Sequence, residues 1–358
     1  MKKNIAFIIN SLESAGGTER VVSNVSNEII KDPNFKVTII ALKGASAFFP
    51  LHESINIIYL EKIVKQSWLG RFGCLVRLVN QSNFDSIIGI SITKLNIWLG
   101  FVSIFFKKNV KLIASEHINF SKTSFFLKCV KKLIYGRFDY IAVLTLFDKE
   151  IMDNLRYRNV IQIPNASSFS PKDSDLNHVL ARPRRIISVG RLEEQKGFDL
   201  LIESWKKIQS SHTDWELVIV GEGSLKSKLE DAINHAKKQL GLFNCVILPF
   251  TKDIGALLNT AQVYALSSRF EGYPMVLVEA LTYGCPIISF DCETGPREIF
   301  ADKNEGFLVP PNNIEIFARS IHLMLKDDNL RNQTFHNIME GRKRFFIENV
   351  IEKWKNIL

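Results

Sequence analysis

The sequence predicts an α/β protein of two doubly wound, parallel-sheet domains facing across a cleft. Strand-length runs rich in Ile and Val alternate with helix-length amphipathic stretches, the pattern of repeated βα units. The alternation halts once, at a polar stretch carrying prolines, and then restarts. At 358 residues the chain is also longer than a single core usually serves.

The first series of strands is read at residues 5–9, 37–42, 86–90, 111–115 and 140–144. Each run is apolar on both faces, as a parallel strand covered by helices on each side must be. Residues 20–30 and 125–137 read as helices between them. The halt follows Ile161-Gln162-Ile163-Pro164-Asn165, where a polar stretch with Pro171 and Pro183 runs to Arg185 and reads as a linker. A second series begins at 185–190 and continues through 215–220, 246–248, 263–266 and 286–290. The expected domains are therefore 1–168 and 169–340. Beyond them, residues 341–358 place Phe345, Phe346, Val350, Ile351, Trp354 and Leu358 at helical spacing, which predicts a terminal helix packing back on the first domain.

An ordinary composition, 46% apolar and 23% charged, excludes collagen-like, low-complexity and wholly disordered chains. The five cysteines form no CxxC pair, so free thiols in a reducing compartment are expected rather than a disulfide framework or a zinc site. The N-terminal apolar run ends at Asn10, too early for a signal peptide. The stretch 86–106 carries one charge, Lys94, but also Gly89, Ser91, Thr93 and Asn96. Lys94 at a bilayer centre would cost roughly 2.5–3.5 kcal/mol, so a buried strand and helix are expected there, in a soluble chain. Residues 1–170 hold 22 Lys and Arg against 12 Asp and Glu, whereas the remainder is close to neutral. All the excess positive charge thus sits in the front half and points to a polyanionic or membrane-surface partner for it. No RNA- or DNA-binding motif accompanies it, so nucleic acid is not expected.

Several strand ends carry candidate chemistry. Ser14-Ala15-Gly16-Gly17-Thr18-Glu19-Arg20 follows the first strand, with Thr18 placed to cap a helix whose N-terminus favours an anion; a plain tight turn is the equal alternative. Gly221-Glu222-Gly223 reads as a tight strand-to-helix turn. Asp173-Ser174-Asp175 matches the loose Asp-x-Asp of metal-dependent sugar transferases, yet it lies in the linker with no strand before it, so no metal is expected. Gly190-Arg191-Leu192-Glu193-Glu194-Gln195-Lys196-Gly197 opens off the first strand of the second domain. There Arg191 as a fork and Lys196 as a point charge can converge on a diphosphate. Glu271-Gly272-Tyr273-Pro274-Met275 leads into a helix bearing Glu279. Pro274 suits the first turn of that helix, leaving Glu271 in the loop for sugar hydroxyls and Glu279 for a ribose.

Together with Ser115-Glu116-His117 and Thr294-Gly295-Pro296-Arg297-Glu298-Ile299, these segments resemble the retaining glycosyltransferases of family four, which have the GT-B fold of two Rossmann-like domains. The resemblance covers nearly the whole chain. Its Ser-Glu-His and Gly-Pro-Arg-Glu-Ile forms look most like bacterial enzymes that extend lipid-linked oligosaccharides. It implies an N-terminal acceptor domain, a C-terminal nucleotide-sugar donor domain, and no cofactor, the nucleotide sugar being a substrate. Arg191 and Lys196 would then hold the donor diphosphate and Glu279 the ribose. Glu271 and the backbone of Gly272, Tyr273, Pro274 and Met275 would meet the donor sugar and phosphates. Gly16 and Gly17 would face the diphosphate from the opposite domain, and His117 would sit near the reacting centre.

The implied reaction moves a hexose or N-acetylhexosamine, from UDP-Gal, -GalNAc, -Glc or -GlcNAc, to a polyprenyl-diphosphate-linked glycan in O-antigen, capsule or related glycan synthesis. The implied place is the cytoplasm, peripheral on the inner face of the membrane. Residues 119–137 mix Lys122, Lys128, Lys131, Lys132 and Arg137 with Phe120, Phe125, Phe126 and Leu127, and Lys107, Lys108 and Lys111 add to the same domain. A basic helix with aromatic residues lies readily on an anionic membrane surface. A sugar-nucleotide epimerase of the same architecture and a non-catalytic sugar-nucleotide-binding protein stand as the alternatives.

Overall fold

The computed structural model describes residues 2–358 apart from positions 15, 65, 66, 93, 108, 118, 252, 301 and 302, and the backbone alone at 68, 122 and 303. Ala15, Thr93, Lys108 and the Lys122 side chain, named above, lie outside the described residues. The chain forms two compact units, Met1–Ser168 with Ile347–Leu358, and Phe169–Phe346.

In the first unit seven strands form one sheet: β1 (Lys3–Ile9), β2 (Phe35–Ala41), β3 (Asn56–Tyr59), β4 (Ser86–Ser91), β5 (Lys111–Glu116), β6 (Tyr140–Val143) and β7 (Val160–Gln162). Their spatial order is β3-β2-β1-β4-β5-β6-β7, and every pairing is parallel. The double-sided apolar pattern has a direct cause in β1. Ile5, Phe7 and Ile9 enter one core layer, and Ala6 and Ile8 enter the layer on the opposite face. Strands β3 and β7 were not among the expected strands. They are edge strands of four and three residues, too short to show a run.

The second unit contains β8 (Arg185–Val189), β9 (Glu216–Val220), β10 (Cys245–Leu248), β11 (Val263–Leu266), β12 (Ile287–Phe290) and β13 (Gly306–Val309), in the order β10-β9-β8-β11-β12-β13. This sheet is parallel throughout as well. Leu217 and Ile219 face one core layer, Val218 and Val220 the other. In each sheet the order reverses beside the first strand, between β1 and β4 and between β8 and β11. Ligands of open α/β sheets bind outside the strand carboxyl ends at such reversal points.

The terminal helix is Ile347–Lys355, and its Val350, Ile351 and Trp354 pack into the first unit's core. Arg342–Phe345 before it is a 3-10 turn, and Phe345 belongs to the second unit's core. The stretch 86–106 forms β4 and the eight-residue helix Leu95–Val102. Among the described residues no helix is long and apolar enough to cross a membrane.

Candidate active site

The loops leaving β8, β9, β11 and β12 meet at the reversal point of the second sheet and are fastened to one another. Leaving β8, Glu193 accepts from the Ser224 backbone N–H at 3.1 Å and its hydroxyl at 2.8 Å. Arg269, leaving β11, donates to the Glu194 carbonyl at 2.8 Å and grips both carboxylate oxygens of Asp199 at 2.9 and 2.6 Å. The Gln195 amide donates to the Phe270 carbonyl at 3.1 Å, and the Thr294 hydroxyl to the Glu271 carbonyl at 2.6 Å. Two glycines permit the approach. Gly197 is left-handed (φ +61°), and a Cβ there would lie 2.1 Å from the Ser267 carbonyl oxygen. A Cβ on Gly221 would lie 1.9 Å from the Gly190 carbonyl oxygen.

Within this frame the Lys196 ammonium lies 2.6 Å from Glu271 Oε1, with both side chains largely buried, and the Ser268 hydroxyl donates to the same oxygen at 2.6 Å. Arg191 points outward instead, its guanidinium 3.4 Å from Gln195 Oε1. The structure thus brings Lys196 and Glu271 into contact and leaves Arg191 exposed beside them. Pro274 takes the residue before helix Met275–Thr282 rather than its first turn, because its ψ of 98° is extended. Gly272 and Tyr273 stand in the loop between Glu271 and that helix, and Glu279 is fully buried within the helix.

In the first unit, Gly16 precedes helix Gly17–Ile29 and Gly17 is its first residue. Thr18 does not cap this helix. It lies inside the first turn, and its hydroxyl donates to Glu19 Oε2 at 2.8 Å. Ser14 donates to Glu19 Oε1 at 2.6 Å, so the Glu19 carboxylate is folded back against Gly16, where an added Cβ would lie 2.3 Å from it.

His117 follows β5. Its backbone N–H donates to the Ser91 carbonyl at 2.8 Å, and its Nε2 lies 3.0 Å from the Ser115 hydroxyl. Enclosure by protein lowers its pKa to about 4, so the ring is neutral at pH 7. Glu116 turns inward. It accepts from Asn96 Nδ2 at 2.8 Å, from the Tyr135 hydroxyl at 2.5 Å and from the fully buried Lys131 ammonium at 2.5 Å. Nothing in the sequence marks Asn96, Lys131 and Tyr135 as a set, since they come from two helices and a turn. The expectation that Lys131 belongs to a membrane-facing basic surface is overturned by this burial, and Phe120 is buried too. Lys132 is exposed but donates to the carbonyls of Leu155 (2.5 Å) and Arg156.

The Asp-x-Asp stretch is occupied structurally. Asp173 pairs with the buried Arg342, and Asp175 accepts from the Lys172 backbone. Among the described residues no group of three or more His, Cys, Asp or Glu is placed to hold a metal ion.

A parallel sheet with charged strand-end loops gathered at its reversal point defines an α/β ligand-binding unit. Residues 173–340 match the family described as glycosyl transferases group 1. An uncharacterized glycosyltransferase of Haemophilus influenzae is 32% identical over 99% of this chain and all of its own length. The chain therefore belongs to the glycosyltransferases. It is similar to the amylovoran biosynthesis glycosyltransferase AmsD of Erwinia amylovora, 29% identical over 99% of each chain. A Campylobacter jejuni relative, named as an α-1,4-N-acetyl-D-galactosaminyltransferase of a GalNAc-GalNAc-diNAcBac-PP-undecaprenol, is 26% identical over 99% of this chain and 98% of its own. Among solved structures, the pneumococcal O-GlcNAc transferase GtfA, in complex with UDP and GlcNAc, superposes with a TM-score of 0.81 at 13% identity, covering 99% and 98% of the two chains. The fold is GT-B.

Proposed function

We propose that this glycosyltransferase is a retaining, metal-independent enzyme of family four that moves a hexose or N-acetylhexosamine from a UDP-sugar to a polyprenyl-diphosphate-linked glycan. The observation that carries this reading is the Lys196–Glu271 pair, set by fastened loops at the reversal point of the second sheet. A donor diphosphate placed there takes over Lys196, releases the Glu271 carboxylate toward the sugar hydroxyls, and meets the exposed Arg191. Breaking the anomeric C–O bond leaves positive charge on the sugar and adds negative charge to the departing diphosphate. Fixed cations and the N-terminus of helix Met275–Thr282 stabilise that charge without reorganising. In front-face attack the diphosphate oxygen accepts the acceptor hydroxyl's proton as the new glycosidic bond forms on the face the leaving group vacates.

Glu279 is assigned to the ribose, the backbone of Gly272, Tyr273, Pro274 and Met275 to the phosphates, and Gly16 and Gly17 of the first unit to an anion. His117, neutral near pH 7, is a hydrogen-bond partner for the transferring sugar rather than a cation. The C. jejuni relative's named acceptor supports a lipid-linked glycan, the UDP in the GtfA complex supports a UDP-linked donor, and AmsD supports a place in polysaccharide synthesis. The surplus cations of residues 1–170 support work at an anionic membrane surface on the cytoplasmic side.

The test is nucleotide release from UDP-, GDP- and ADP-sugars, with and without bacterial lipid-linked glycan extract. Acceptor-dependent UDP release is the expected result. Donor conversion without release would mark an epimerase, and binding with neither would mark a non-catalytic protein. A covalent sugar adduct on Glu271, found by mass spectrometry, would replace front-face attack with double displacement.

A further inference from the structure

The motif Ser115-Glu116-His117 is divided by the alternation of its strand. In β5, Ile113 enters one core layer and Ala114 the layer on the opposite face. Side chains two apart share a face, so Ser115 and His117 continue the face of Ile113, and Glu116 continues that of Ala114. The ladder between β4 and β5 runs on to His117, whose backbone N–H donates to the Ser91 carbonyl at 2.8 Å. Ser115 and His117 thus stand side by side, with the Ser115 hydroxyl 3.0 Å from Nε2 of the ring.

The backbone beneath this pair is anchored from the other face. Asn96 Nδ2 donates to the Ser115 carbonyl at 3.1 Å as well as to Glu116 at 2.8 Å. Gly89 of β4 makes room for it, since a Cβ there would lie 2.1 Å from Asn96 Oδ1. Lys131 and Tyr135 each hold the Glu116 carboxylate at 2.5 Å. Glu116 is therefore spent on fixing the strand end, and His117 is the residue of the motif left to meet a ligand.

Which ring nitrogen carries the hydrogen follows from where the serine hydrogen can go. The ring is neutral at pH 7, so one nitrogen donates and the other accepts. Ser115 is 2% exposed, and among the described residues its hydroxyl reaches no partner but Nε2. A hydrogen on Nε2 would point at the serine oxygen and leave the hydroxyl hydrogen buried without an acceptor, a cost that a hydrogen on Nδ1 avoids. With the hydroxyl donating to Nε2, the ring hydrogen belongs on Nδ1. Among the described residues nothing bonds to Nδ1, so its N–H is the one left for a ligand.

On the reading of His117 as a contact of the transferring sugar, we infer that Ser115 is a positioning residue that locks His117 in the Nδ1–H form, so that the histidine donates a hydrogen bond to a sugar oxygen. Such a donor takes a hydroxyl or an N-acetyl carbonyl oxygen as its partner. The same hydrogen bars Nδ1 from serving as base for the acceptor hydroxyl, the part given above to the departing diphosphate.

The experiment is proton–nitrogen NMR of the imidazoles in the full-length chain carrying isotope-labelled histidine, at pH 7 and without substrate, with His117→Gln to assign the signals. A single Nδ1–H form is expected in the wild type, and its loss in Ser115→Ala. An Nε2–H form, or a mixture of the two, in the wild type overturns the inference. In nucleotide-release assays, Ser115→Ala should raise the donor KM about tenfold, the worth of one neutral hydrogen bond, with kcat little changed. Ser115→Thr keeps the hydroxyl and should restore both the Nδ1–H form and KM. A folding defect lowers kcat through the amount of active enzyme and spares KM. A loss confined to kcat, or an unchanged KM in a variant that has lost the Nδ1–H form, therefore overturns the positioning role. Because the spectrum needs no substrate, a wild type that shows the Nδ1–H form but releases no nucleotide from any donor would sink the transferase reading and leave the lock by Ser115 standing.

Discussion

Two strand ends in this glycosyltransferase handle a lysine–glutamate pair in opposite ways. After β8 and β11, Lys196 and Glu271 belong to facing loops, retain some exposure, and lie next to the outward Arg191. After β5, Glu116 and Lys131 are sealed inside the unit, and the carboxylate is further saturated by Asn96 and Tyr135. An incoming anion can replace Glu271 and keep Lys196 paired, so the first contact is exchangeable. No ligand can replace Glu116 without leaving a charge unpaired in the core, so the second is a pin. Glu19, folded against Gly16, resembles Glu271, because it too occupies ground where an anion is expected.

The largest effect expected from this contrast is on stability. Lys131→Ala strands Glu116 as an unpaired buried charge, at a cost of about 3–5 kcal/mol in denaturant unfolding. Replacing both partners, Glu116→Gln with Lys131→Met, should restore most of that loss, since buried pairs exchange for neutral groups of similar volume at little cost. Lys132→Ala, one position along, serves as the control and should cost under about 1 kcal/mol for an exposed group. Equal losses for the two alanine variants would dissolve the distinction between pin and surface.

The second effect is on turnover. Lys196→Ala should lower acceptor-dependent nucleotide release by about a hundredfold or more, the usual loss when one fixed stabiliser of transition-state charge is removed. Lys196→Arg should recover little of it, because the site positions a point charge against Glu271 and not a planar fork. Release unchanged in Lys196→Ala would detach the pair from the chemistry.

The two strand ends also differ in how far the sequence discloses them. The alternation of Ile- and Val-rich runs reveals the double sheet because parallel strands are apolar on both faces, and Ile5 to Ile9 divide between two core layers accordingly. The loops leaving the second sheet are legible because glycines and charges cluster directly after strands, and Gly197 and Gly221 are required by close backbone approach. Strands β3, β7 and β13 leave no run to read, being short and at or next to a sheet edge. Helix Phe125–Ile134 misleads outright. Its composition predicts Lys131 among the cations of a membrane-facing basic surface, but an ion pair with Glu116 holds it in the core, and only the spatial meeting of β5 with that helix reveals it.

A smaller effect is expected with pH. His117 has a folded-state pKa of about 4 against 6.5 for a free imidazole. Above pH 6.5 the ring is neutral in both states, and its contribution is fully present. As pH falls from 6.5 toward 4 the unfolded chain takes up a proton that the folded chain refuses, so stability is lost across that window. His212 is lowered as well, by burial first and then by His322, which adds a loss in the same direction. His117→Gln should therefore lose less stability than the wild type between pH 7 and pH 4, with the His212 share common to both. Parallel curves would mean that the imidazole at 117 is solvated.

The smallest effect is expected at Asp173, and it separates two ways of reading a carboxylate pair. If Asp173-Ser174-Asp175 held a catalytic cation, Asp173→Asn would abolish transfer and added divalent metal would matter. In the structure Asp173 is an exposed partner of Arg342, whose guanidinium also donates to the carbonyls of Thr282 at 2.8 Å and Pro171 at 3.0 Å. Those carbonyls keep the buried arginine hydrogen-bonded once the carboxylate is gone. Hydrogen bonding to Arg342 is what lowers the Asp173 pKa, but the carboxylate itself is exposed and solvated, so the pair contributes only about 0–1 kcal/mol. Asp173→Asn should leave nucleotide release intact and shift the unfolding midpoint slightly, if at all. A hundredfold loss of activity with unchanged stability would return the Asp-x-Asp stretch to the active site.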